Sequence, residues 1–152
     1  MSEEKKTRGD VAAELFMSGC NCAQAVLAAF DDVTGMDRET SLRVASTLGG
    51  GMCRLREICG AVSGALIVLG LLEGEGTAGD HAKKAALYAK GQDFAAKFKE
   101  EMGALTCREL LELAKKGADE PTPEKRTEEY YHKRPCAEIV RFAADTLEGM
   151  LK

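Results

Sequence analysis

Six cysteines are the residues of this 152-residue chain with the most distinctive chemistry: Cys20, Cys22, Cys53, Cys59, Cys107 and Cys136. A deprotonated cysteine is a nucleophile and a metal ligand, and two cysteines can exchange electrons by forming a disulfide. Structural disulfides are rare in the cytoplasm, where clustered cysteines more often bind metal or carry out redox reactions. The cysteines therefore predict a redox or metal site.

The spacing of the cysteines excludes several common sites. Cys20 and Cys22 form a C-x-C pair, and Cys53 and Cys59 a wider one, each a weak signal alone. The chain has neither the C-x-x-C of thioredoxin-like proteins nor the C-x-x-C-H of c-type haem attachment. The paired C-x2-C knuckles of a zinc ribbon are absent as well.

Two capping patterns place cysteines at predicted helix starts. The segment Asn21–Gln24 has the N-cap and capping-box spacing that begins a helix at Cys22. The segment Thr106–Glu109 repeats that spacing at Cys107. We therefore expect both thiols in the first turn of a helix.

Two further cysteines also fall at predicted helix starts. Cys136 follows Pro135, and proline favours the first position of a helix. Cys59 directly precedes an apolar segment that begins at Gly60. Four cysteines are thus predicted at helix starts, although they are too far apart in the sequence to form a local motif.

Helix starts have a chemical consequence for these thiols. The first N–H groups of a helix are unpaired and carry about half a positive charge, which stabilises a thiolate and should lower the thiol pKa. Any one of these cysteines could instead be a small buried hydrophobe. Basic residues nearby in the sequence favour the charged form: Arg54, Arg56, Arg108, Lys133 and Arg134.

The elements that must position these thiols are helical. Apolar residues at helical spacing, with no strand pattern, predict one all-α domain over residues 1–152, a bundle of about six or seven helices. Residues 119–134 are polar, contain two prolines and predict a loop with at most one helical turn. The helices are predicted at Arg8–Met17, Asn21 to near Gly35, Asp37–Leu48, Gly60–Leu72, about Asp80–Met102, Thr106–Leu113 and from Pro135 to about Met150. The Gly60–Leu72 helix is apolar nearly all round and is expected at the centre of the bundle.

Charge and hydropathy limit the partners. Lys and Arg number 21 against 25 Asp and Glu, a net charge of −4, which argues against nucleic-acid binding. The longest apolar run, Ala61–Leu72, is shorter than the roughly 20 residues of a membrane span. The first residues lack the apolar core of a signal peptide, so we expect a cytoplasmic protein. We therefore expect the partner to be a redox protein or a small-molecule substrate, neither of which the sequence identifies.

Several blocks of the chain, taken together, resemble one family. They are Asn21–Leu27, Gly49–Met52, Cys59–Ala65, Cys107–Leu110 and Cys136 in the last helix. In this order they are similar to the C-GCAxxG-C-C redox-active proteins, over nearly the whole chain. The Cys59-Gly60-Ala61-x-x-Gly64 block makes the resemblance specific.

The resemblance implies a helical fold and a redox role for four cysteines: Cys22, Cys59, Cys107 and Cys136. The same family is similar to the cysteine-bearing part of split-Soret cytochromes c, which implies an iron–sulfur cluster and a homodimer. This chain lacks their haem-binding segment. Cys20 and Cys53 lie outside the four-cysteine pattern and could be extra metal ligands, a resolving pair or bystanders.

Three functions are compatible with these residues. The first is electron transfer by an iron–sulfur cluster held by Cys22, Cys59, Cys107 and Cys136. The second is thiol–disulfide exchange, in which one low-pKa cysteine attacks a substrate and a neighbour resolves the intermediate, with no cofactor. The third is a tetrahedral, non-redox zinc site. Whether the protein is an oxidoreductase or an electron carrier stays open.

Overall fold

A computed structural model describes residues 5–111, 121–133 and 135–151 of the chain. Within these ranges it is 64% helical and has no strand, so the predicted all-α class is confirmed. The described helices are α1 Arg8–Met17, α2 Cys22–Ala28, α3 Asp31–Thr34, α4 Arg38–Val44, α5 Gly60–Glu73, α6 His81–Met102, α7 Cys107–Leu110, α8 Glu128–Lys133 and α9 Cys136–Met150. This number exceeds the six or seven expected because α3 and α8 are short additional helices.

The capping box predicted before Cys22 is present. The Asn21 side chain accepts from the Gln24 N–H at 2.8 Å, and the Gln24 side chain accepts from the Asn21 N–H at 2.9 Å. The helix predicted from Asn21 to near Gly35 is nevertheless divided into α2 and α3. Phe30 leaves helical geometry between them, at φ −110° and ψ 13°, and its ring is fully buried. Burial of this ring accompanies the interruption of the helix.

Helix α5 occupies the middle of the bundle and packs against α2, α9, α6 and α3. Ala61, Ala65 and Val68 on its inner side are fully buried. Its other side is open, because Leu66 is 38% exposed and Leu71 is 46% exposed. The helix is therefore central, as predicted, but its apolar surface is not covered all round.

Two glycines of α5 allow its close approach to α2. A Cβ atom on Gly64 would lie 2.6 Å from the Ala23 carbonyl oxygen. A Cβ atom on Gly60 would lie 2.9 Å from the Ala23 nitrogen and 3.2 Å from the Cys22 Cβ. Only glycine, which has no side chain, permits such contacts between backbones. This crossing brings the start of α2, with Cys22, beside the start of α5, with Cys59.

Helix α9 is held along α1, the most extensive contact between two helices of the described chain. The Gly9 N–H donates to the Asp145 carboxylate at 2.6 Å, and the Arg8 guanidinium donates to Glu148 at 2.7 Å. The inner face of α9 buries Ile139 and Val140. This packing sets the position of Cys136 at the first residue of α9. None of the described helices is long and apolar enough to cross a membrane.

Candidate functional site

Four helix starts converge on one small cavity. Cys22, Cys107 and Cys136 are the first residues of α2, α7 and α9, and Cys59 is the N-cap of α5. All four line a cavity of about 60 Å³. Cys59, Cys107 and Cys136 are buried, with 5%, 8% and 8% of their surface exposed. The fold thus brings together thiols that are far apart in the sequence.

Three of these thiols, Cys22, Cys59 and Cys136, are here called the thiol triad. The side chain of Cys22 interacts with those of the other two, and both interactions raise its pKa. The Cys59 sulfur accepts from the Cys22 thiol, and the amides of Ala61 and Val62 add to its stabilisation as a thiolate.

The prediction that all four helix starts lower the thiol pKa is wrong for Cys22 and Cys107. Hydrogen bonds to Cys136 and Cys59, followed by burial, raise the pKa of Cys22 well above its usual range. Cys22 is partly exposed as a residue, but protein atoms surround its thiol closely enough to desolvate it. Burial likewise raises the pKa of Cys107. Desolvation and neighbouring thiols outweigh the partial charge of a helix start.

The pKa of Cys59 is lowered, first by the hydrogen bond from Cys22 and then by the Ala61 and Val62 amides, against the opposing effect of burial. The interaction between the two side chains therefore makes Cys59 the more readily deprotonated thiol of the pair.

Cys107 faces a buried cation. The Arg56 Nη1 donates to the Cys107 Sγ at 3.3 Å, and Arg56 is only 5% exposed. This guanidinium lowers the pKa of Cys107, although burial has the larger effect and raises it. The backbone also couples the two segments: the Cys107 N–H donates to the Glu57 carbonyl at 2.7 Å, and the Cys59 N–H donates to the Leu105 carbonyl at 2.8 Å.

Arg56 belongs to an unusual turn. Residues 50–54 and 56 all have positive φ angles, and Met52, Cys53, Arg54 and Arg56 among them are not glycine. Backbone bonds hold this left-handed turn, including Cys53 N–H to the Thr47 carbonyl at 2.8 Å. Non-glycine residues in this region cost about 1–3 kcal/mol each and concentrate at functional sites. The turn forms one wall of the cysteine cavity.

Gly51 fixes the turn against Cys107. Its φ is 70°, and an added Cβ would lie 2.6 Å from the Glu57 nitrogen and 2.8 Å from the Cys107 Cβ. The absence of a side chain at Gly51 therefore lets the left-handed turn pass close to a site cysteine.

The other two cysteines lie outside the lining of the cysteine cavity. Cys20 is half-buried in the turn after α1, and burial raises its pKa. Cys53 is exposed on the left-handed turn. The side chain of Lys133 and the whole of Arg134, predicted to be near Cys136, lie outside the described residues.

Arg126 belongs to the segment 119–134, which was predicted only to be a polar loop, so its contacts at the site were missed. Its guanidinium donates to the carbonyls of Phe16 and Cys20, both at 3.1 Å. It also stacks over the rings of Phe16 and Tyr130, at 4.5 and 4.9 Å from the centroids. Arg126 and Tyr130 line the cysteine cavity. No sequence signal distinguishes Arg126 from the charged residues around it.

The four cysteines that line the cavity are also the residues expected to hold a metal ion or a cluster. In the described part of the chain, no three His, Cys, Asp or Glu side chains are placed to hold a metal ion. The four cysteines of the cavity have the donor chemistry of an iron–sulfur or zinc site, and two neighbouring thiols such as Cys22 and Cys59 also have the chemistry of a disulfide-forming pair.

The fold and site define an all-α protein in which four cysteines, most of them buried, line one small cavity. The family described as "Putative redox-active protein (C_GCAxxG_C_C)" matches residues 20–150. The chain belongs to this family. No curated protein and no solved structure matches the chain significantly.

Proposed function

We propose that this redox-active protein works by thiol–disulfide exchange, with Cys59 as the attacking thiolate and Cys22 as the resolving thiol. The observation that carries the proposal is that Cys22 and Cys59 line one small cavity, where the interaction of their side chains lowers the pKa of Cys59 and raises that of Cys22. It supplies both requirements of exchange chemistry, a thiol of lowered pKa and a second thiol in contact with it. Cys136 also interacts with Cys22 and is an alternative disulfide partner for it.

The chemistry balances with a disulfide substrate R–S–S–R. The Cys59 thiolate attacks one substrate sulfur, the S–S bond breaks, and R–S⁻ leaves. Cys22 then attacks the Cys59 sulfur of the mixed disulfide, its proton passing to a departing thiolate, and the second R–S⁻ leaves. Two electrons pass from the cysteine pair to the substrate, and a Cys22–Cys59 disulfide remains. The reverse sequence oxidises a dithiol.

An iron–sulfur cluster for electron transfer is the second candidate. Its support is that four cysteines from four helix starts surround one cavity, since scattered ligands around a single centre would explain why all four are present. In that case Cys22, Cys59, Cys107 and Cys136 would be the ligands, and the cluster would supply one-electron chemistry. A zinc ion bound by the same four cysteines is the third candidate.

One experiment separates these candidates. The protein is expressed with iron, purified without oxygen and assayed for iron, sulfide and zinc. A second sample is mildly oxidised, and its remaining thiols are then blocked. The disulfides of this second sample are mapped by mass spectrometry. We expect little metal and one disulfide joining Cys22 to Cys59 or Cys136. The exposed Cys53→Ser variant is the control and should behave as the parent.

Stoichiometric iron and sulfide would contradict the exchange proposal if each single serine variant of the four site cysteines lowered the cluster content. Ligands of one cluster act together, so the loss of any one should destabilise the whole. In an exchange protein, Cys107→Ser should instead leave formation of the disulfide intact.

We further propose that the protein is a cytoplasmic homodimer. The six thiols are free, the form that a reducing compartment maintains. The exposed side of α5 and the facing part of α6 form an apolar groove of about 450 Å³. Leu66, Leu71 and Tyr88 expose 38%, 46% and 64% of their surface on these helices. A second copy would cover this apolar surface.

Light scattering at micromolar concentration should give the mass of a dimer for the parent and of a monomer for Leu66→Lys/Leu71→Lys, because the two charges would be buried between the copies. Val44→Lys on α4 is the matched control, since Val44 is 47% exposed and lies on a different helix. A monomeric parent would contradict the dimer.

A further inference from the structure

Cys107 lines the cysteine cavity but takes no part in the exchange proposed above. It is the first residue of α7 and is buried, and its sulfur accepts a hydrogen bond from the Arg56 Nη1 at 3.3 Å. A guanidinium in direct contact with a cysteine favours the thiolate, which is the reactive form. This contact gives Cys107 more chemistry than a small buried hydrophobe would have.

The backbone holds Cys107 beside Cys59. An antiparallel bridge joins Ile58 to Thr106, and each cysteine directly follows one of these two residues. The N–H groups of both cysteines donate across this bridge, at 2.8 Å from Cys59 and 2.7 Å from Cys107. Because side chains alternate in direction along extended backbone, both cysteines project to the same side of the bridge, and both line the cavity there.

The contacts place the four cavity thiols in one order. Cys22 interacts with Cys136 and with Cys59, and the backbone bridge joins Cys59 to Cys107. The order is therefore Cys136, Cys22, Cys59, Cys107. One pairing of adjacent thiols uses all four, namely Cys22 with Cys136 and Cys59 with Cys107. A disulfide between the middle two uses only half of this capacity.

We propose that Cys107 is a further catalytic residue, the resolving thiol of a second exchange, so that the site reduces two molecules of a disulfide substrate and ends with the disulfides Cys22–Cys136 and Cys59–Cys107. The inference rests on the proposed thiol–disulfide exchange and extends it from two electrons to four. Arg56 is a positioning residue, because it acts on the reaction through Cys107.

The atoms and electrons balance. After the first exchange, Cys136 loses its proton to solvent and attacks the Cys22 sulfur of the Cys22–Cys59 disulfide, whose S–S bond breaks. Cys59 leaves as a thiolate, and it suits this role because it is the more readily deprotonated thiol of that pair. It then attacks a second R–S–S–R and releases R–S⁻. Cys107 attacks the Cys59 sulfur of the mixed disulfide, its proton passing to a departing thiolate, and the second R–S⁻ leaves with two more electrons transferred.

The second disulfide is expected to form more slowly than the first. Cys59 and Cys107 occupy diagonal positions across an antiparallel bridge, and such positions stand farther apart than a disulfide spans. Closing this bond requires α7 to move toward α5, and α7 has only four residues. The loss of thiols should therefore have two kinetic phases.

The test uses the reduced Cys53→Ser variant, which lacks the exposed thiol, and titrates it without oxygen with the small neutral probe hydroxyethyl disulfide. Remaining thiols are blocked in denaturant, and the disulfides are mapped by mass spectrometry. We expect one disulfide after one equivalent of probe. Excess probe should give two, Cys22–Cys136 and Cys59–Cys107.

Replacing Cys107 by serine in this background should remove only the second disulfide. Cys22–Cys136 should still form, and with excess probe Cys59 should keep the probe as a mixed disulfide, because the thiol that would resolve it is absent. Cys20→Ser is the matched control, since Cys20 lies outside the lining of the cavity, and it should form both disulfides.

Arg56→Gln tests the positioning role. The mixed disulfide at Cys59 should resolve about tenfold more slowly, since a hydrogen bond from a charged donor is worth about that factor. The guanidinium lowers the pKa of Cys107, so the pH profile of this step should move to higher pH. The first disulfide should form at the parent's rate. Arg56→Lys keeps the charge and should restore most of the rate, and Arg43→Gln on the exposed face of α4 should behave as the parent.

A single disulfide per chain in excess probe, or two disulfides in another pairing, would overturn the proposal. Equal resolution rates in the parent and in Arg56→Gln would overturn the role of Arg56, and if that variant does not fold, Cys107→Ser still decides the role of Cys107. Failure of the exchange itself would look different, because no disulfide of Cys22 would then form after the first equivalent.

Discussion

Replacing Cys59 by serine is expected to slow the reaction of the reduced protein with hydrogen peroxide by about a hundredfold or more, since the thiolate is the reactive form of cysteine. Peroxide is the suitable probe because a molecule little larger than water fits the cavity of about 60 Å³. The thiolate gives up two electrons to the peroxide, the O–O bond breaks, and a sulfenic acid and hydroxide form; the hydroxide takes a proton from solvent to become water. Cys22 then condenses with the sulfenic acid to a disulfide and releases a second water.

The pH dependence of this reaction follows from the direction of the Cys59 pKa shift. The hydrogen bond from Cys22 lowers the pKa of Cys59. The rate should therefore rise with pH and reach half its maximum at a pH below the pKa of an ordinary cysteine thiol. In Cys22→Ala the donor is lost, the pKa of Cys59 rises, and the profile should move to higher pH. Cys22→Ser retains a hydroxyl donor and should shift the pH profile less than Cys22→Ala does.

The controls use the remaining cysteines. Cys53→Ser removes the exposed thiol and should preserve the pH profile of the site. The ultraviolet absorbance of thiolates, titrated in the same variants, reports ionisation without needing access of a reagent. A parent whose low-pH thiolate signal survives Cys59→Ser would show that another cysteine is the thiolate, and the assignment of roles would be wrong.

Local features of this fold could be read from the sequence because they depend on residues close together. The Asn21–Gln24 capping box and the start of α9 after Pro135 required only side chains within one helical turn. The division between α2 and α3 could not be read in this way. It accompanies burial of Phe30 in the core, and burial depends on the whole packing.

The site was predictable in its members but not in its internal order. Helix-start positions identified the four cysteines that line the cavity. Their relative pKa values depend on which sulfur contacts which, and spacing carries no such information. Cys22 and Cys59 both lie at a helix start, yet their pKa values are shifted in opposite directions because their side chains interact with each other.

The left-handed turn was the feature with the least sequence signal. Gly50 and Gly51 suit positive φ angles, but Met52, Cys53 and Arg54 do not. A continuous run of such residues arises only when tertiary bonds, such as the Glu57 N–H to the Gly51 carbonyl at 2.9 Å, hold it in place. Propensity cannot predict a conformation that opposes it.

The crossing of α2 and α5 gives the second large expected effect. Gly64→Ala should lower the free energy of unfolding by about 1–3 kcal/mol, the usual cost of inserting a methyl group where no space exists. The added Cβ would lie 2.6 Å from the Ala23 carbonyl oxygen and 3.1 Å from the Ala23 Cα. Backbone atoms cannot rotate away as a flexible side chain can, so α5 must shift relative to α2.

Gly70→Ala in the same helix is the matched control for Gly64→Ala. No atom lies within 4 Å of the Cβ that it would add. Alanine is the better helix former, so this variant should be more stable than the parent by about 0.5–1 kcal/mol. Urea denaturation monitored by circular dichroism measures both changes under one set of conditions. Opposite signs in the two variants would attribute the loss in Gly64→Ala to the helix crossing, whereas a loss of similar size in both would contradict that explanation.

The same pair of variants connects the packing to the chemistry. A shift of α5 moves Cys59 away from Cys22, because the two cysteines sit at the starts of the crossing helices. Folded Gly64→Ala protein should therefore react with peroxide more slowly at neutral pH, with its profile displaced to higher pH in the same direction as for Cys22→Ala. Gly70→Ala should keep the parent's profile. An unchanged profile in a destabilised Gly64→Ala variant would show that the Cys22–Cys59 contact does not depend on the close approach at Ala23.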